Sequence, residues 1–257
     1  MRGTGAAGDR LAILAALTVL VALAWTWLVW LQGQMNPPMA DMPGMTMPDA
    51  AVWSPAYLLL MLAMWAVMMV GMMTPSASPM ILLYARVAAQ AQGIAFASAA
   101  WFAGGYLMAW LLFSVAATFA QFGLGHALSP MMALNSRIAA GAFLIAAGLY
   151  QWTPLKQACL AHCRAPLVFI QRHGGFRPGV SAALRLGLLH GLYCIGCCWV
   201  LMALLFVGGV MNLVWIAALM MGVLLEKLLP RGHHFARAAG LVAVAAGGWM
   251  ITTGILT

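Results

Sequence analysis

An all-α, polytopic bundle of about seven transmembrane helices, with the N-terminus in the cytoplasm, is the fold class this sequence predicts. Three observations predict it. Of 257 residues, 65% are hydrophobic and only 6% charged, whereas a soluble domain carries about 25% charged residues. The apolar residues gather into runs near the length of about 20 that a helix needs to cross the hydrocarbon core. The 12 Lys and Arg are distributed very unequally between the two sides that these runs define. An ordinary soluble enzyme is excluded, because so few charges cannot cover so much apolar surface. A disordered chain is excluded by the same abundance of apolar residues. The net charge of +8 reports topology and gives no reason to expect a nucleic-acid partner; the lipid bilayer is the expected one.

The seven expected spans are Leu11–Leu31, Ala56–Met73, Ile94–Phe122, Ile138–Trp152, Leu184–Val210, Leu213–Leu229 and Ala239–Leu256. Pro75 and Pro79 are poor helix-interior residues, so a break is expected at Thr74–Pro79. The first span is read as a retained helix and not a cleaved signal peptide: its apolar run is long, and no small-x-small site follows Leu31. With the N-terminus in the cytoplasm, every Lys and Arg except Arg137 falls inside, the bias a bacterial inner-membrane protein shows. The chain then divides into an N-terminal membrane helix (1–31), a methionine-rich extracytoplasmic loop (32–55) and a helix bundle (56–257). The loop Thr153–Ala183 lies inside.

Methionine occurs 21 times, and its placement is uneven. The outer loop carries Met35, Met39, Met42, Met45 and Met47 among prolines that forbid a helix. Thioethers on a wet loop bury little. They are soft, uncharged ligands that select Cu(I), or Ag(I), over harder cations and need no deprotonation. The plain alternative is adaptable packing against the membrane surface or a partner. In the second span, Met61, Met64, Met68 and Met72 project within an arc of about 80° at 100° per residue, a thioether stripe along one face. Ordinary helix packing explains such a stripe equally well by itself; its position directly after the loop is what favours ligation.

The five cysteines fall in two groups. In the fifth span His190, Cys194, Cys197 and Cys198 share a face about 100° wide. Cys194 lies roughly 15 Å into the span, where a histidine is costly without a partner. Three thiols and an imidazole suit a soft metal, Cu(I) foremost and Zn(II) second. Singly, each would be read as a packed core residue. Cys159, His162 and Cys163 stand at i, i+3 and i+4 on the inner loop, with Lys156 and Arg164 nearby to favour thiolates. Glu226 lies near the inner end of the sixth span beside Lys227. It reads as half of a snorkelling pair, or else as a ligand-set or proton-coupling group. The spacings fit neither a zinc finger nor a haem attachment site, and nucleotide-binding and nucleophile motifs are absent.

Trp65 to Met80, Cys159 to Pro166, Gly187 to Met202 with its Cys197-Cys198-Trp199 step, and Glu226-Lys227 resemble a bacterial family of predicted metal-binding integral membrane proteins (domain of unknown function 2182). The likeness runs from about Trp53 to Leu229. It implies a multi-helix inner-membrane protein that binds metal, and no established reaction. The resulting expectation is a Cu(I)-binding membrane protein that moves or delivers copper, with a copper chaperone or a cuproenzyme as partner; a homo-oligomer is compatible with it. A membrane copper or thiol redox enzyme, and a structural subunit of a membrane complex, are the competing readings.

Overall fold

The computed structural model describes residues 3–35, 54–93, 95–125, 128 and 132–256. Among them the architecture is all-α, with one isolated bridge between Leu128 and Leu134. The helices are α1 Gly3–Met35, α2 Pro55–Gln92, α3 Ala95–Gly123, α4 Arg137–Tyr150, α5 Pro154–Arg164, α6 Pro166–Arg172, α7 Val180–Ala203, α8 Leu205–Gly208, α9 Leu213–Leu228 and α10 Gly232–Leu256. The outer-loop methionines Met39, Met42, Met45 and Met47 lie outside the described residues, and Met35 ends α1.

Local sequence explains the helix starts. Ser54, Ser136, Thr153 and Asn212 each accept a hydrogen bond from the backbone N–H three residues on, satisfying a donor the first turn leaves free. Prolines open α2, α5 and α6, where a missing N–H costs nothing. Gly93, at φ 73°, ends α2 in the left-handed conformation that glycine adopts freely.

One expectation is corrected, the break at Thr74–Pro79: α2 runs unbroken through both prolines. Pro79 has no N–H for the Pro75 carbonyl, and the Ser78 hydroxyl donates to that carbonyl instead, at 2.8 Å. The Ser76 hydroxyl and the Tyr106 phenol both reach the Met73 carbonyl, at 2.9 and 3.2 Å. The Ser78 hydroxyl thus fills the gap that Pro79 leaves in the ladder. Of the seven expected spans, among the described residues five helices are long and apolar enough to cross a membrane, α1, α2, α3, α10 and the α7–α8 segment; a sixth arises if α4 and α5, bent by 63°, form one span. With 16 residues, α9 covers only about 24 Å at 1.5 Å per residue, short of a core of about 30 Å. Large apolar side chains on the outer faces stay uncovered, Val214 at 80% and Trp249 at 72% exposure, as lipid-facing positions would be.

The bundle closes through glycines. A Cβ on Gly187 of α7 would sit 2.0 Å from the Phe102 carbonyl oxygen, and one on Gly105 of α3 would sit 2.1 Å from that of Leu184. Backbones approach this closely only where side chains are absent. A similar seam joins α4 to α10, where Gly141 faces Gly247 and Gly148 faces Gly240. Replacing Gly187 by Val should push α3 and α7 apart and cost about 1–3 kcal/mol, read as a lower unfolding temperature in detergent. Gly104→Ala, whose added Cβ would meet only the Leu184 Cδ2 at 3.8 Å, should be nearly neutral and serves as the control.

Candidate metal site

The α3–α7 seam and α9 bring polar groups together inside the bundle. His190, Cys194, Cys197 and Cys198 are all buried on α7. Gly191, one turn from Cys194, lies against Tyr106 and Ala109 of α3, so that face of the helix is pressed into the protein. The Cys194 sulfur is the centre of the arrangement. It receives a hydrogen bond from the Lys227 ammonium at 2.9 Å and lies 3.1 Å from the Tyr106 hydroxyl. Lys227 also donates to the Ser76 hydroxyl on α2, at 3.0 Å. A buried ammonium is the counter-charge that a thiolate needs away from water, and the thiolate is the form that binds soft metals.

The other cysteines surround this centre. The side chains of Cys163, Cys197 and Cys198 all border Cys194, and Cys163, half-buried on α5, also borders Cys197. Cys159 lies beside Gly196, where a Cβ would come within 2.7 Å of its sulfur. Among the described residues, no group of three or more His, Cys, Asp or Glu side chains is arranged to hold a metal ion. The Cys197 and Cys198 thiols both turn back to the Cys194 carbonyl oxygen, donating at 3.1 and 2.9 Å. Closure on an ion requires them to rotate away from it.

His190 is 3% exposed, and its Nδ1 is buried without a hydrogen-bond partner, an uncommon state for a polar atom. Its ring is held by Phe102, Tyr106 and Phe169, with centroids 6.0, 5.7 and 5.2 Å away. A free nitrogen one turn from Cys194 on a soft-donor helix fits a Cu(I) ion.

The remaining candidates lie elsewhere. Glu226 does not snorkel. It is 2% exposed and paired at 2.7 Å with Lys156, itself 0% exposed, so its charge is already compensated. His162 turns from Cys159 and Cys163 to stack on Tyr193, ring centres 4.3 Å apart. Met61, Met64, Met68 and Met72 are fully buried, and so are Met69 and Met73 off the expected stripe. The buried thioethers therefore spread over a wider arc of α2 than the expected stripe, while Ala63 between them is exposed. At one end of this row the Gln121 amide nitrogen donates to two thioethers, Met132 at 3.2 Å and Met61 at 3.5 Å. Its oxygen accepts from the Trp65 indole at 2.7 Å.

Sequence reasoning missed Lys227, Tyr106 and Ser76 at the Cys194 centre, and Gln121 beside Met61. Adjacent Glu226 and Lys227 inside an apolar run were the available signal for the first. The others lie in no motif. Removing the ammonium with Lys227→Met should weaken Cu(I) binding on the order of 10–100-fold, measured by competition with a chromophoric chelator. Unchanged affinity would detach Lys227 from the site.

A family model described as PpoB2, copper chaperone, matches residues 62–250. No curated protein and no solved structure matches the chain.

Proposed function

The chain belongs to the PpoB2 copper chaperone family, and from that membership we propose that it holds Cu(I) inside the bacterial inner membrane and hands it to a copper protein. The observation that carries the reading is the Lys227–Cys194 contact, with Cys197 and Cys198 buried one turn further along α7. Cys194 as thiolate and Lys227 as ammonium sum to zero charge. Cu(I) bound by Cys194 and one further cysteine, with that second thiol deprotonated, makes a singly negative complex that Lys227 again neutralises. One Cu(I) enters as one proton leaves, so the buried site stays neutral at both ends of the exchange. Neutrality matters because an uncompensated charge in a low-dielectric interior costs several kcal/mol.

In this reading the thioethers of the outer loop, Met35, Met39, Met42, Met45 and Met47, capture the ion. Met61, Met64, Met68 and Met72 line its way, and Cys159 and Cys163 stand on the inner side of the cysteine group. Thiolates bind Cu(I) more tightly than thioethers, so the group around Cys194 is where the ion rests. The purified protein, loaded anaerobically with Cu(I), should bind it tightly, release about one proton per ion at that site, and transfer it to an apo-cuproenzyme faster than free Cu(I)–chelator does. Absence of tight binding in folded protein would overturn the reading.

A further inference from the structure

We propose that His162 and His173 form a second, all-nitrogen Cu(I) site at the mouth of the cysteine group, where copper pauses on entry or exit. The inference rests on the copper reading above and extends it to residues outside the buried site. His162 lies in the last turn of α5, and His173 follows the end of α6. In each, Nδ1 lies 2.8 Å from a backbone carbonyl oxygen four residues earlier, Ala158 for His162 and Phe169 for His173. A carbonyl oxygen only accepts, so Nδ1 carries the hydrogen in both rings. The lone pair of the neutral imidazole is thereby fixed on Nε2, as in metal-binding histidines whose other nitrogen is anchored.

A histidine bonded to the last carbonyls of its helix is by itself a common cap. Here two such caps from different helices meet. Their ring centres are 6.1 Å apart. With metal–nitrogen bonds of roughly 2 Å, two imidazoles on opposite sides of one ion have centres about 6 Å apart. Linear two-coordinate Cu(I) places no demand on the angle between the rings, so the interplanar angle of 65° is acceptable. Tyr193 fixes both rings, stacked on His162 at 4.3 Å and edge-on to His173 at 5.5 Å.

The position links the pair to the deeper site. Cys163 follows His162 in the chain and borders Cys194 and Cys197. Phe169, fully buried, packs its ring against His162, His173 and His190, so one aromatic side chain separates the outer imidazoles from the inner one. Neutral nitrogen ligands hold Cu(I) less tightly than thiolates, which suits a transit position beside a storage position.

The test loads full-length protein in detergent with Cu(I) supplied as its acetonitrile complex under anaerobic conditions. Bound equivalents are counted against chelators of graded strength, and ligands are read from copper K-edge absorption. Wild type should bind a tight, sulfur-ligated ion and then a weaker one showing imidazole scattering. A variant with Cys163, Cys194, Cys197 and Cys198 changed to Ser should keep only the weaker one. H162A/H173A should lose that equivalent and retain the tight, sulfur-ligated one. His233 and His234, whose ring centres lie 4.0 Å apart, provide the control, and H233A/H234A should leave it untouched. The inference is overturned if the weaker ion survives H162A/H173A, if it is lost in H233A/H234A, or if wild type shows no nitrogen-ligated ion at two equivalents. That last reading does not depend on any variant folding. Failure of the sulfur-ligated ion to appear would instead overturn the function proposed above.

Discussion

Replacing Cys194, Cys197 and Cys198 together by serine should lower Cu(I) affinity by at least about 1,000-fold, or ~4 kcal/mol. Structural thiolate sites bind metal with about 10–16 kcal/mol shared among four ligands, so losing three soft donors removes most of the affinity. Serine preserves the hydroxyl-for-thiol shape, and the Cys194 carbonyl that accepts from Cys197 and Cys198 can accept from serine hydroxyls as well. Cys194→Ser also leaves the Lys227 ammonium without its thiolate and should cost stability, so affinity is read only in protein that circular dichroism and size-exclusion behaviour show to be folded. Copper affinity equal to wild type in a folded triple variant would remove these residues from the site. Cellular copper accumulation with and without the gene would then report whether the bound ion also moves across the membrane.

The second large effect concerns stability. Lys156 of α5 and Glu226 of α9 form an ion pair at 2.7 Å with side chains 0% and 3% exposed. Glu226→Gln leaves a buried ammonium without its counter-charge and should cost about 3–5 kcal/mol. Changing both partners, Lys156→Met with Glu226→Leu, removes the stranded charge and should recover most of that loss. Thermal unfolding in detergent measures both. Because the carboxylate is already engaged, the double variant should bind Cu(I) as wild type does. A loss of copper affinity at unchanged stability would make Glu226 a ligand.

The elements were legible because apolar runs and their caps are local. The expected Ile94–Phe122 and Leu213–Leu229 correspond to Ala95–Gly123 and Leu213–Leu228. The proline break failed because Ser76 and Ser78 bond freed or neighbouring carbonyls, which proline spacing alone does not reveal. A tally of Lys and Arg by membrane side read Lys156 and Lys227 as topology markers, yet both turn inward to Glu226 and Cys194. Placing His190, Cys194, Cys197 and Cys198 on one face followed from helical periodicity. The approach of Cys163 to Cys194 and of His173 to His162 joins different helices, and no spacing along the chain encodes it. The matched family supports copper, and five to six helices among the described residues are long and apolar enough to span a membrane; which side each loop faces is read by accessibility labelling.

The unbroken α2 has a mechanical consequence. Two prolines remove backbone donors inside it, leaving a stretch softer in bending than the turns on either side, yet still continuous. Ser76, which holds the ammonium steady beside Cys194, stands within that stretch. Flexure at this joint would swing the anchor of the positive charge toward or away from the sulfur without unfolding a turn.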